Sequence, residues 1–269
     1  RWPGRPADLN ITGRRAQRDP GPRALATLFI SDLHLDPAAP EITAQFLDFL
    51  ESEARDADAL YILGDLFEVW LGDDDPEPSK REIQAALARL TQAGVPCFLM
   101  HGNRDFLIGE QFCARTGCRL IEDGTVLSLH GVTAVLLHGD VLCTDDLSYQ
   151  RLRRIVRNPI VQWIFRHLSL ERRQTIAERI RAGSREHVGA SAPQIMDVND
   201  SAVAEAFRMS GVQVMVHGHT HRPAIHELDV DGSTARRIVL GDWYTQGSVL
   251  EWGPRGFELR SIPRQAPRQ

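Results

Sequence analysis

Five apolar runs along this chain each stop abruptly on an oxygen or nitrogen donor. They are Phe29-Ile30-Ser31-Asp32-Leu33-His34, Leu60-Tyr61-Ile62-Leu63-Gly64-Asp65, Phe98-Leu99-Met100-His101-Gly102-Asn103-Arg104-Asp105, Val135-Leu136-Leu137-His138-Gly139-Asp140 and Val214-Met215-Val216-His217-Gly218-His219-Thr220-His221. Continuous apolar runs of this length predict strands buried on both faces. Strand ends that all carry Asp, Asn or His can gather those groups at one edge of a sheet.

Between the first three runs the period changes to that of a helix. Ile42, Phe46, Phe49 and Leu50 predict a helix over 41–55. Ser79 reads as the N-cap of the next, with Glu82 as its capping-box partner. Ile83, Ala86, Leu87 and Leu90 form its apolar face, and Gly94 is the expected stop. With strands at 26–31, 59–63 and 95–100, the first third is β-α-β-α-β, the signature of a layered α/β fold. Further on, 126–130 and 132–137 flank Gly131 as a hairpin, and 225–230, 236–240, 248–252 and 257–262 read as successive antiparallel strands. Two sheets packed face to face, with helices outside, accommodate this pattern.

Residues 147–188 are different: helical in period throughout, interrupted at Asn158-Pro159, and without a strand pattern. Between Arg151 and His187 stand ten arginines and three glutamates, so the segment is strongly basic within an acidic protein. It is expected to be a helical cap, 147–192, inserted into one layered α/β domain made of 25–146 and 193–264. Residues 1–24, rich in Arg, Pro and Gly, are expected to be a disordered extension, and 265–269 a tail.

The composition is that of a soluble globular protein: 269 residues, 42% hydrophobic, 25% charged, net charge −5. An acidic balance gives no global reason to expect nucleic acid as a partner. Cys97, Cys113, Cys118 and Cys143 show no CxxC spacing and are expected to be thiols in a reducing compartment. No apolar run approaches the roughly 20 residues that cross a bilayer, and the first residues lack the apolar stretch of a secretory signal, so a cytoplasmic location is the default expectation. Lys80 is the single lysine among thirty-one Lys and Arg residues, a bias more in keeping with genome composition than with function.

The donors that end the runs have a chemistry of their own. Asp32, His34, Asp65, Asn103, His138, His219 and His221 supply carboxylate, amide and imidazole, with no thiolate. That mixture suits Mn, Fe, Zn or Mg. Seven donors exceed what one tetrahedral ion needs and suit two ions sharing a carboxylate, spaced roughly 3.5–4 Å, the arrangement used for in-line attack on phosphorus. Asp36 and Glu68, near these donors in sequence, are candidates to support them from behind. Asp73-Asp74-Asp75 reads as a solvated loop, and Asp242 and Trp243 are assigned no role.

Asp32-Leu33-His34, Gly64-Asp65, Gly102-Asn103, His138-Gly139 and Gly218-His219-Thr220-His221 together resemble the five blocks of the calcineurin-like metallophosphoesterases. The resemblance implies a two-sheet sandwich flanked by helices with a di-metal centre at the strand ends. It implies one metal on Asp32, His34, Asp65 and His221, and a second on bridging Asp65, Asn103, His138 and His219. His217 falls outside the pattern and is expected to be structural.

One position departs from the family's commoner form, in which His follows Gly-Asn and can protonate a leaving alkoxide. Here the residue is Arg104, which gives up no proton at useful pH. Arginine suits a leaving group whose charge needs stabilising, such as a phosphate leaving a diphosphate. In keeping with that, the blocks around Asp32, Asp65 through Glu68, Asn103 through Leu107, Asp140 through Asp146, Ile195 through Asn199 and His217 through Pro223 resemble the UDP-2,3-diacylglucosamine hydrolases of lipid A biosynthesis, a group within that family. This implies two Mn2+ ions, water attack on the α-phosphorus, release of UMP and 2,3-diacylglucosamine 1-phosphate (lipid X), and peripheral contact with the cytoplasmic face of the inner membrane. No protein partner is implied.

By the same resemblance Asn103 and Arg104 act in catalysis, and Asn103, Arg104, Asp146, Ser184 and His219 contact substrate. The relatives' Asn and Lys on the helix of Ser184 fall on Val188 and Ser191, which leaves Arg185 or His187 to substitute, or a different grip on the head group. Leu152, Ile155, Val156, Trp163, Ile164 and Phe165 either line a groove for acyl chains or pack the cap onto the body. A nucleotide or cyclic-nucleotide phosphodiesterase with the same metals is the alternative.

Overall fold

The computed structural model describes residues 8–9, 26–190 and 197–264, with 8–9 and 184–190 described by backbone alone. One sheet holds β2 (Thr27–Ile30), β3 (Ala59–Leu63), β4 (Cys97–Met100) and β5 (Arg119–Ile121), all parallel, with β11 (Gly247–Gly253) and β12 (Gly256–Ile262) added antiparallel on the β2 side. The other runs β1 (Asp8–Leu9), β6 (Thr125–Leu129), β7 (Val132–Leu137), β8 (Val214–His217), β10 (Ser233–Val239), β9 (Ala224–Val230). Helices α1 (Pro40–Glu51), α2 (Pro78–Gln92) and α3 (Glu110–Thr116) cover the first sheet, and α7 (Asp200–Ser210) covers the second.

The continuous apolar runs follow from this layering. Phe29, Tyr61, Leu63, Phe98 and Met100 point between the sheets, where they meet Leu127, Leu136, Val216 and Ile238. The intervening Leu28, Ile30, Leu60, Ile62 and Leu99 point outward against Phe46, Phe49, Leu87 and Phe112. With helices on one side and a second sheet on the other, neither face has room for a polar residue.

The two C-terminal hairpins form in register, β9 with β10 and β11 with β12, but they belong to different sheets. The four strands are therefore not one meander: β10 runs parallel to β8, and β11 crosses to pair antiparallel with β2. The α2 cap also differs from expectation. Glu77 is the N-cap and accepts from the Ser79 N–H, while Pro78 takes the first helical turn, where its missing N–H costs nothing. α3 is too short for periodicity to register. It is capped by a distant side chain, Asp73, which accepts from the N–H groups of Gly109 and Phe112.

Three helices, α4 (Leu147–Val156), α5 (Pro159–Arg166) and α6 (Leu170–Ala190), occupy the basic segment, and Asn158 caps α5 at the expected break. Their arginines do not all face solvent. Arg153 donates to Asp140, Arg157 to the Gly102 carbonyl, Arg173 to the Leu71 carbonyl and Asp74, and Arg181 pairs with Glu68. The Asp73–Asp75 loop is likewise no free solvated turn: Asp73 caps α3, Asp74 holds Arg173, and Asp75 binds Lys80 at 2.6 Å.

Candidate metal centre

Because β2, β3 and β4 are parallel, their C-terminal ends share one edge, and the ends of parallel β7 and β8 meet them there. The Gly218 N–H donates to the His138 carbonyl, and the His219 N–H donates to Asp32 Oδ2 at 2.8 Å, joining the two sheets at the site. Asp32, His34, Asp65, His219 and His221 all have φ between 50° and 71°. Left-handed backbone is tolerated by Asp and His better than by bulky residues, and such strain concentrates where a structure holds functional groups in place. Here it turns the chain sharply after β2, β3 and β8, so that the donors carried there face one space.

Two groups of donor atoms, Asp32–His34–His221 and Asp32–Asp65–His138, each lie within 4.8 Å of one another. Asp65 Oδ2 stands between them, 3.8 Å from Nε2 of His34 and 3.8 Å from Nε2 of His138. Asn103 Oδ1 lies 3.0 Å from His138 Nε2 and 3.0 Å from His219 Nδ1. All seven sequence-derived donors are thus brought together, with Asp32 as well as Asp65 placed between the two groups.

The outer nitrogens of the rings determine what the inner ones present. His138 Nδ1 donates to the Leu63 carbonyl, 2.9 Å, and His34 Nδ1 donates to Glu68 Oε2, 2.9 Å. An acceptor-only partner keeps the proton on Nδ1 and turns the Nε2 lone pair into the site. His34 Nε2 and His221 Nε2 approach to 3.3 Å. Asp32 Oδ1 is buried and, among the described residues, accepts no hydrogen bond, with His221 Nε2 3.5 Å away, although an unpaired buried carboxylate oxygen costs about 1–3 kcal/mol. Convergent lone pairs around a buried carboxylate oxygen left without a hydrogen-bond donor fit a cation.

The electrostatics agree. Burial would raise Asp32, but His221, His138 and His34 outweigh it and hold the carboxyl well below its usual range. Asp65 is pushed up, first by burial and then by Asp105 and Asp32. Burial would lower His138, yet Asp65, Asp140 and Asp32 push it up to about 9. A field that draws a proton this strongly draws a divalent cation as well. His217 behaves differently: burial lowers it to about 4, its Nδ1 donates to the Gly218 carbonyl, and its Nε2 accepts from Arg237. Both nitrogens serve the scaffold.

Arg104 donates its backbone N–H to Asp65 Oδ1 at 2.8 Å, while its side-chain Nε is buried and donates to nothing among the described residues. Asp146 is buried and caps α4, accepting from the Tyr149 N–H and the Ser148 hydroxyl. Ser184 lies on α6, but its side chain, with those of Arg185, His187 and Val188, is outside the described ones, and Ser191 is outside the described residues.

Sequence reasoning missed several supports. Asp105 accepts from the N–H groups of Gly102 and Leu66, fastening the Asn103 and Asp65 loops together; its only signal is that it ends a donor-rich run. Asp242 Oδ2 lies 3.5 Å from His221 Nδ1, and Tyr244 stacks on His34 with centroids 5.4 Å apart. Trp243, buried between them in sequence, anchors that loop against Phe46 and Phe49. A polar loop with aromatics carries no periodic signal.

Comparison with known proteins agrees with this geometry. The calcineurin-like phosphoesterase family profile matches residues 25–223. A UDP-2,3-diacylglucosamine hydrolase from Pectobacterium carotovorum is 52% identical over 239 residues, 89% of this chain and 100% of its own length. Proteins of that name from Pseudomonas fluorescens (52% identical; 87% of this chain, 94% of the relative) and Vibrio parahaemolyticus (48%; 89% and 99%) are similarly close.

Proposed function

The chain belongs to the calcineurin-like phosphoesterases, and from that premise we propose that it hydrolyses the diphosphate of UDP-2,3-diacylglucosamine by water attack on the α-phosphorus. The products are UMP and 2,3-diacylglucosamine 1-phosphate. The observation that carries this reading is Arg104 fastened by its backbone to Asp65 at the donor cluster, in a chain about half identical to hydrolases of that name.

Asp32, His34, Asp65 and His221 would hold one Mn2+ ion, and Asp65, Asn103, His138 and His219 a second. Bound there, the ions supply the charge that makes water a nucleophile at neutral pH and neutralises phosphoryl oxygens. The protein does the rest. Asn103 Oδ1, 3.0 Å from both His138 Nε2 and His219 Nδ1, presents its lone pairs in the same space as those rings. Arg104, always charged and with its buried Nε donating to nothing among the described residues, stabilises the leaving sugar phosphate without giving up a proton. Asp146, Ser184 and His219 contribute to substrate binding.

The segment 147–192, helical over its described part to Ala190, acts as a cap on the domain assigned to 25–146 and 193–264. Ile160, Trp163 and Ile164 of α5 are 68%, 61% and 51% exposed, and Arg151, Arg154 and Arg166 of the same helical segment are exposed as well. Exposed apolar residues in a segment that also exposes arginines suit a diacylated substrate at an anionic lipid surface, the cytoplasmic face of the inner membrane. Phe165, by contrast, packs on the core and fastens the cap. No helix among the described residues is long and apolar enough to cross a membrane. The test is purified protein with Mn2+ and detergent-dispersed UDP-2,3-diacylglucosamine, measuring UMP, with an acyl-free UDP-sugar as control. Equal turnover of the two would favour a soluble-nucleotide phosphodiesterase instead.

A further inference from the structure

Glu68 faces two directions at once. Its Oε2 accepts from His34 Nδ1 at 2.9 Å, and its Oε1 receives Arg181 Nη2 at 3.1 Å. Arg181 belongs to α6 and also lies 4.0 Å from Asp36, the second carboxylate beside the His34 loop. Arg172 and Arg179 on the same helix are exposed. Among the described residues, the Arg181–Glu68 pair is where a side chain of α6 meets a residue hydrogen-bonded to one of the candidate donors.

We infer that Glu68 and Arg181 are positioning residues that link the docking of α6 to cation binding at His34, an inference that rests on the metal centre proposed above. A cation on His34 Nε2 fixes the ring, and the fixed Nδ1–H holds the Glu68 carboxylate in one orientation. The other oxygen is then already aimed at Arg181, so docking α6 loses less side-chain freedom. The linkage is reciprocal: whatever holds α6 down favours the cation. The helix that carries Ser184 is thereby steadied by a loaded centre.

Hydrogen exchange of the backbone amides of α6 tests this on the full chain, with no substrate, after chelation and again with saturating Mn2+. Mn2+ binding is measured in parallel by electron paramagnetic resonance titration. In the unaltered protein Mn2+ should slow α6 exchange at least about fivefold. That difference should vanish in Glu68→Gln and Arg181→Met, and survive in Arg179→Met, which loses the same charge from the same helix. Glu68→Gln should also weaken Mn2+ binding about tenfold or more. A purely structural role for Arg181 would change exchange equally with and without Mn2+ and leave the difference intact; that result overturns the linkage. So does Mn2+ binding with no effect on α6 in the unaltered protein. If the unaltered protein binds no Mn2+, the metal centre itself falls, and this inference with it. Failure on the lipid substrate alone would touch neither measurement.

Discussion

The backbone N–H of Arg104 donates to Oδ1 of Asp65 at 2.8 Å. The residue proposed to face the leaving phosphate is therefore fixed to the carboxylate proposed to be shared by both cations, and neither can shift without the other. Asp65→Ala removes the carboxylate between His34 and His138. Turnover should fall below detection with Mn2+ in excess, while the circular dichroism spectrum keeps its shape. Near-normal turnover under those conditions would contradict the two-cation arrangement.

Arg104 separates substrates by their leaving groups. Arg104→Ala should lower kcat on the diphosphate about a hundredfold, the usual cost of losing a group that stabilises transition-state charge. On an activated aryl phosphodiester, whose leaving group is already good, the loss should be much smaller. Equal losses on the two substrates would show that the guanidinium does not act on the leaving phosphate.

Gly102 permits the close approach of two site loops. A Cβ there would stand 2.0 Å from Asp65 Oδ1 and 2.2 Å from the Asp65 nitrogen. Gly102→Ala must push the shared carboxylate aside. Calorimetric titration should show Mn2+ affinity lowered about tenfold or more, the scale expected when a ligand is mispositioned. Unchanged affinity would mean that the Asp65 loop moves freely.

His217 makes stability depend on pH in a defined window. Its ordinary value is 6.5, and burial lowers it in the folded protein to about 4. Between these values the unfolded chain holds the proton and the folded one does not, so stability is complete above pH 6.5 and falls as pH drops toward 4. The loss should approach about 3 kcal/mol. Urea unfolding of the metal-free protein at several pH values should show this slope, and His217→Gln should flatten it. Equal slopes would assign the acid sensitivity to other groups.

Much of this arrangement is legible in the sequence, because strands buried on both faces leave unbroken apolar runs and each run ends on its donor. Asp32, Asp65 and His138 need no partner information to be noticed. What pattern cannot show is which sheet a strand joins: β10 and β11 follow one another in the chain as members of successive hairpins, yet one pairs with β8 and the other with β2. Nor can it show which partner a support meets. Glu68 stands out in the sequence as a candidate support, but its pairing with His34 on one side and Arg181 on the other is long-range, and Arg153, Arg157, Arg173 and Arg181 look like a solvated basic face until they are seen turned inward.

Hydrolysis in water enriched in heavy oxygen, with Mn2+ and UDP-2,3-diacylglucosamine, tests the central claim most directly. Mass spectrometry of the products should place the label in UMP, because water attacks the α-phosphorus and Arg104 stabilises the departing sugar phosphate. Label in the 2,3-diacylglucosamine 1-phosphate, or no Mn2+-dependent UMP at all, would contradict it.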